Sequence, residues 1–394
     1  MSDLLSQTAW RRWTVASLLS RLPISMGLLA FVLAGQQSLD SAAQGSVLAG
    51  LLGFVAGLLG PWAGRRLDRT EVRRALQRRL LGAASMMCAF ATLVHFRAGF
   101  AVLAVAVVVM GAFLAGMMAG FRSLLLVVVE SATRRHSHFV ESMMVEFGYA
   151  IGPLIVSGLY LVTNLETVLY VMAGVFVLSA YLMRRIPEMF VEQVVKPERG
   201  SGVTRSTLRI AALGFAVSLA FSLTEGSVSL RMPSIGLETS ASGPFLLLLG
   251  LSSCIGGLYV SFRPITAGPR RLTAGVLLLA FALTLQPLAW ASSPLWLGAS
   301  LLIASLPLVP LTGLLSSLIE VHAELNNRGT LFAVFVTASM VGAGTGVSLA
   351  GFISTTLSPN APAMVSSTAF AVLGLAVLTQ VAWRSFVHRR DRVR

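Results

Sequence analysis

Apolar residues along this chain come in long blocks, parted by short polar or basic intervals. The blocks fall at about 13–34, 43–63, 76–96, 100–122, 139–161, 166–184, 208–229, 243–262, 272–290, 294–317, 329–354 and 363–384. A helix rises ~1.5 Å per residue, so ~20 apolar residues cross the ~30 Å hydrocarbon core, and each block is long enough for one crossing. The pattern predicts an all-α polytopic membrane protein with twelve transmembrane helices. The first block follows a short polar tail ending in Arg11-Arg12 and could be mistaken for a secretory leader. It is too long for one, and more spans follow, so it reads as the first transmembrane helix.

Composition points the same way. Hydrophobic residues make up 55% of the 394 and charged residues only 12%, against about a quarter charged in a soluble domain. With a mean hydropathy of +0.80, lipid must serve as solvent for most of the surface. A net charge of +14 would suggest nucleic acid if the basic residues formed one face of a soluble domain. They fall instead between apolar blocks, which excludes nucleic acid as a partner. Cys88 and Cys254 both lie inside apolar blocks and read as small buried hydrophobes rather than a disulfide or metal pair.

The basic residues also set the orientation. With the first residues in the cytoplasm, 27 of the 30 lie on cytoplasmic segments or helix ends, Arg97 and Arg231 lie outside, and Arg21 is intramembrane. That imbalance places both termini in the cytoplasm. The one long polar interval, Arg185–Arg205, holds Pro187, Lys196, Pro197 and Gly200-Ser201-Gly202. It divides the chain into an N-terminal half (1–184), a cytoplasmic linker (185–206) and a C-terminal half (207–394), six spans on either side of the linker, as in two parallel repeats around a substrate path. Glycines repeat across that division: Gly148-x-x-x-Gly152-Pro153 then Gly158 in the fifth span, Gly342-x-x-x-Gly346 then Gly351 in the eleventh. Small residues one turn apart let helices approach closely, and the matched spacing predicts equivalent packing in the two halves.

Between the second and third spans runs Gly60–Arg74, GPWAGRRLDRTEVRR. The order Gly64, Asp68-Arg69, Arg73-Arg74 resembles the signature loop of the major facilitator superfamily of transporters, with Glu71 where that loop carries a second glycine. The resemblance implies two six-helix halves that alternate access to a central site. It implies too that Gly64, Asp68, Arg69 and Arg73 form a cytoplasmic gate, with Asp68 latching the halves in one state. Topology alone is the other reading, the arginines meeting anionic lipid at about 1 kcal/mol each. The stretch Gly148, Gly152 and Pro153, within GYAIGP, resembles the fifth-helix motif of the drug/proton antiporter branch, with Val156-Ser157 in place of that motif's later glycine pair. In that branch the motif shapes the interface between halves and favours export; as a plain packing seam it would only kink at Pro153. Arg21-Leu22-Pro23, Glu141–Pro153 and Gly342–Gly351 extend the likeness to bacterial efflux members over nearly the whole chain.

Charges inside the membrane are costly and face protein or water, so they carry the chemistry. Arg21 lies about eight residues, ~12 Å, into the first span, and Glu146 lies about as deep in the fifth. An Arg21–Glu146 pair reads either as a substrate and proton site or as a fixed ion pair that helps the helices pack. Glu141 lies nearer the cytoplasmic interface, within reach of Arg134 or Arg135, and Glu225 sits in the outer third of the seventh span beside Gly226. The family's basic residue midway along the fourth span has no counterpart, since Val107–Val109 fills that region, and Arg21 is its candidate replacement. The Met86-Met87, Met117-Met118 and Met143-Met144 pairs fit apolar filling better than soft-metal transport. His136 and His138 lie in a basic cytoplasmic loop and read as solvated. No phosphate-binding Gly-Lys loop, Cys/His cluster or nucleophile elbow occurs, so no cofactor, metal or ATP hydrolysis is expected.

These features predict a proton-coupled exporter of small amphipathic or apolar molecules, acting as a monomer in the bacterial inner membrane, with protons, substrate and lipid as its partners. The alternative is a proton-coupled importer of an anionic metabolite, with Arg21 as the anion's partner. A membrane-embedded enzyme, revealed by hydrolysis or group transfer, and a sensor without flux are the rival classes. The orientation has a direct test. Cysteines at Gln37 and Asn360 are expected to react with an impermeant thiol reagent applied to intact cells, and one at Thr70 is not. Labelling at Thr70 from outside would overturn the topology.

Overall fold

Lipid offers backbone N–H and C=O groups no partner, so an apolar block must close its hydrogen bonds within itself as a helix. The computed structural model describes residues 8–67, 71–128, 134–186, 205–262, 270–322 and 328–391. Their side chains are described except at 125–127, 134–147, 205–206, 261–262, 270–271, 319–322, 328–330, 332 and 384–391. Every predicted span is helical: α1 (Thr8–Leu39), α2 (Ala42–Leu67), α3 (Val72–His95), α4 (Phe100–Leu114 and Met117–Val128), α5 (Arg134–Val162) and α6 (Leu165–Met183). The second six are α7 (Arg205–Arg231), α8 (Ser242–Phe262), α9 (Arg270–Ala289), α10 (Pro294–Ala304 and Leu308–His322), α11 (Arg328–Thr356) and α12 (Ala361–Asp391). Ten of these passes are long and apolar enough to cross a membrane. That count is of the described residues; the third helix carries Arg73, Arg74, Arg78 and Arg79 in its first turns, and Gly148–Val162 of the fifth is an apolar helix. Below, the near side is the one holding the start of α1 and the end of α12.

Each group of six packs around its own apolar cluster, one running from Trp10 to Ile186 and the other from Val217 to Phe370. Between the two halves, α2 lies along α11 and α5 along α8. Backbones touch along the first of these seams. A Cβ on Gly50 would lie 2.3 Å from the Gly344 carbonyl oxygen, and one on Gly344 2.3 Å from the Phe54 nitrogen. A Cβ on Gly351 would lie 2.5 Å from the Ala43 carbonyl oxygen. Serines bridge what the glycines bring together: Ser46 Oγ donates to the Val347 carbonyl at 2.7 Å. On the second seam the Gly243 N–H donates to Ser157 Oγ at 3.0 Å, and that hydroxyl donates to the Ser240 carbonyl. Among the described residues these contacts run from the far ends to Gly57 against Met340 and Ala150 against Gly250.

The expected equivalence of the glycine repeats holds at one position. Gly152 seats α5 on α1 at Ser25 and Met26, and Gly346 seats α11 on α7 at Leu219. Gly148 and Gly158 meet nothing within 4 Å, whereas Gly342 meets Phe215 and Gly351 meets Ala43 of the opposite half.

Two spans that the apolar pattern draws as continuous are broken. In α4 the break falls at Ala115-Gly116, with Gly116 left-handed at φ +73°, a conformation glycine adopts at little cost. The freed Ala115 carbonyl accepts from the Arg79 guanidinium. In α10 the break follows Ala304, and Pro307 opens the next turn without an N–H. Thr284 Oγ1 donates to the Ala304 carbonyl at 3.0 Å, and Ser252 Oγ accepts from the Ser305 N–H at 3.2 Å. Such breaks persist in a membrane only where protein re-satisfies the backbone.

Several of the arginines in the charge count cap helix ends. Arg231, counted on the outer side, is 1% exposed. It donates to the Leu288 and Ala291 carbonyls at 2.6 and 2.8 Å, at the end of α9. Arg73 donates to the Arg184 and Ile186 carbonyls and Arg12 to that of Arg185, a threefold cationic cap on α6. On the far side Gln37 Nε2 donates to Glu166 Oε1 at 2.8 Å, so its exposed neighbour Gln36 is the better labelling site.

The seams have a measurable consequence. Gly344→Ala forces the halves apart, so spin labels at Gln36 and Leu357, exposed on the far side of opposite halves, are expected to separate while folded yield is kept. Gly346→Ala strains one half internally, at about 1–3 kcal/mol, and lowers yield instead. Ser157→Ala removes roughly 1 kcal/mol of bonding across the halves, shifting the far-side equilibrium about fivefold towards open. Unchanged label distances in Gly344→Ala and Ser157→Ala would show that the seams do not set the conformation.

Candidate functional site

The first helix brings charge to the core. Arg21 is 6% exposed, among the buried serines Ser17, Ser20 and Ser25. Ser20 and Ser25 satisfy themselves by donating to the Ser17 and Leu22 carbonyls, at 2.7 and 2.8 Å. Pro23 lies within the helix and takes the N–H donor away from the Leu19 carbonyl. The helix therefore carries a buried guanidinium next to a locally weakened turn.

The register of α5 against α1 follows from one contact. A Cβ on Gly152 would lie 2.2 Å from Ser25 Oγ and 2.8 Å from the Met26 nitrogen. Both helices run from near to far side, so residues equally far below this contact lie at equal depth. Glu146 is six residues, about 9 Å, below Gly152. Arg21 is four to five residues, about 7 Å, below Ser25-Met26. The backbone levels of Arg21 and Glu146 thus agree to within about 2 Å. The side chains of Glu146 and Glu141 fall outside the described residues.

Glu225 is half-buried on α7, beside Gly226, whose missing Cβ would lie 3.0 Å from Ala350 of α11. Around it the far half of α7 is polar: Ser222, Thr224, Ser227, Ser229 and Arg231 are all buried. Thr224 Oγ1 is enclosed without a hydrogen-bond partner among the described residues. The sequence reading picked out only Glu225 here. The signal was present, since a polar residue recurs every one or two positions over 222–231 in an otherwise apolar span.

The gate-loop residues are partly visible. Gly64 lies in the last turn of α2 with nothing within 4 Å of a Cβ, and Arg73 caps α6 of its own half. Asp68 and Arg69 lie outside the described residues. In the fifth-helix motif Gly148 is buried yet bordered by space, Gly152 seats on α1, and the Pro153 carbonyl oxygen lies 2.6 Å from where Gly243 of α8 would carry a Cβ. Ser157, where the resembled motif has glycine, supplies the hydroxyl that bonds across the halves.

Solved transporters share this arrangement. The nucleoside transporter NupG, as a D323A mutant, superposes with a TM-score of 0.71 at 13% identity, over 93% of this chain and 98% of its own. A POT family transporter in complex with 5-aminolevulinic acid gives 0.74 at 11% identity, over 93% and 95%. The human organic anion transporter MFSD10 gives 0.65 at 18%, over 94% and 99%. At these identities the likeness shows the fold. No curated protein matches the chain. The family model of the Major Facilitator Superfamily matches residues 13–347, from the start of the first apolar block into α11. The chain belongs to the major facilitator superfamily.

Proposed function

We propose that the protein is a proton-coupled exporter of small amphipathic or apolar molecules, working by alternating access between its two halves. The observation that carries this reading is the common depth of Arg21 and Glu146 on two packed helices of one half. A carboxylate level with a buried guanidinium can exchange that partner for a proton as the surroundings change between states. Few buried charges suit an amphipathic cargo, and the serines around Arg21 and along α7 can meet its polar part. The resemblance of the fifth-helix motif supports export, and of its residues Pro153 has its carbonyl beside Gly243 of the other half. A second reading keeps the fold and reverses the direction: Arg21, at 6% exposure, holds the anionic group of an imported metabolite. The solved relatives include a nucleoside transporter, peptide transporters and an organic anion transporter, so fold alone favours neither direction.

The charge pattern supports a cytoplasmic near side. There the loop after α2 acts as a latch, with Asp68 as the charge that engages in one state only. Asp68→Asn is then expected to leave insertion intact and slow turnover, while Arg65→Gln does much less. Parent rates and parent accessibility in both would remove Asp68 from the gate.

Flux into proteoliposomes under an imposed pH gradient, screened over compound classes, tests the whole reading. Glu146→Gln is expected to abolish pH-driven flux while keeping substrate binding, since Gln keeps the shape and loses the titration. If the pair is only structural, Arg21→Ala and Glu146→Gln each lower folded yield, and exchanging the two residues restores it. A Glu146→Gln variant that pumps at the parent rate would move the coupling site to Glu225.

A further inference from the structure

We propose that a crevice on the outer wall of the N-terminal half, between α3 and α6 on the near side, holds the headgroup of an anionic phospholipid. The crevice encloses about 350 Å³. On α3 it takes Arg74, Gln77, Arg78 and Leu81, the i, i+3, i+4, i+7 positions of one helix face. On α6 it takes Val177, Ala180, Tyr181 and Arg184, the same spacing on an antiparallel helix. Gln77 Nε2 donates to the Ala180 carbonyl at 3.1 Å and fixes the register between the two walls.

That register sorts the lining by depth. Arg74 and Arg184 lie at the mouth, and Leu81 and Val177 about 10 Å deeper. The gradient from guanidinium to alkyl over that distance matches a phospholipid from its phosphate to the start of its acyl chains. The deep residues open to the bilayer: Leu81, Val177 and Tyr181 are 42%, 46% and 50% exposed. Arg74, Arg78 and Arg184 are exposed as well, and Glu71, 3.0 Å from Arg74 Nε, is the acid that offsets them. Among the described residues the mouth carries three guanidiniums, with Glu71 beside one of them. The walls are held in place, because Arg73 ties α3 to the Arg184 and Ile186 carbonyls. A free ion would use only the charged mouth, whereas a lipid uses both ends, and basic pockets between transmembrane helices suit phosphate headgroups.

Thermal unfolding of the full-length protein in detergent, with added phosphatidylglycerol, phosphatidylcholine or inorganic phosphate, tests this. Phosphatidylglycerol alone is expected to raise the melting temperature. Arg78→Gln with Arg184→Gln is expected to need about twentyfold more of it for the same shift. Arg11→Gln with Arg65→Gln, the same charge loss at exposed near-side positions outside the crevice, keeps the parent's response. If the first pair fails to fold, Arg78→Gln alone carries the test at about fivefold. The proposal is overturned if the crevice pair responds like the parent or the two pairs lose response equally. It is overturned too if inorganic phosphate at the same concentration gives the same shift, marking an ion site rather than a lipid site.

Discussion

The close approach of α2 to α11 is the constraint on which the arrangement of the two halves depends. Where Gly50 meets Gly344 there is no room for a methyl group, and the contact is backbone to backbone. Lipid is as apolar as the side chains it meets, so helix association rests on close packing and polar contacts rather than on hydrophobic expulsion. Ser46 adds a hydroxyl bond to the Val347 carbonyl on this seam, and Ser157 does the same service on the α5–α8 seam. Each bond contributes about 1 kcal/mol net, enough to bias a conformational equilibrium and too little to lock it. Glycine close packing reinforced by a few weak bonds suits a joint that must open.

Arginine meets a different constraint in this fold. A helix that ends or breaks inside the bundle exposes carbonyl oxygens that water cannot reach. Arg79 serves the break in α4 and Arg231 the end of α9, while at the exposed end of α6 Arg73 and Arg12 cap carbonyls that water also reaches. A guanidinium reaches several carbonyls at once and favours the negative end of a helix dipole. The C-terminal half mends its own break in α10 with Thr284, Ser252 and Ser305 instead. The two halves thus reach one shape with different side chains, one charged and one neutral.

The ends of α6 and α9 are tied, and the middle of the first helix lacks a backbone hydrogen bond at Pro23. The capped ends of α6 and α9 hold each half together, while the buried charge of Arg21 lies on a helix weakened at Pro23. The polar face of α7, with Glu225 and Thr224, brings matching chemistry from the opposite half. Each half carries polar groups on its first helix, and the joint between the halves lies beside them.

The number and placement of the spans were legible in the sequence because apolar length is a property of consecutive residues, and the bilayer reads it one segment at a time. Depth within a span is likewise a count of consecutive residues, which is why Arg21 and Glu146 can be proposed as a pair from the sequence. The breaks at Ala115-Gly116 and after Ala304 were not legible: the apolar pattern runs straight through them, and each stands only because a side chain from another helix takes the freed carbonyl. The capping roles of Arg79 and Arg231 were hidden likewise, for a count of charges gives a side of the membrane and no partner. Ser157 read as a departure from a glycine motif, and its partner Gly243 lies on a helix of the other half. Bonds of this kind join residues far apart in the chain, so only the packed bundle decides which backbone group each side chain meets.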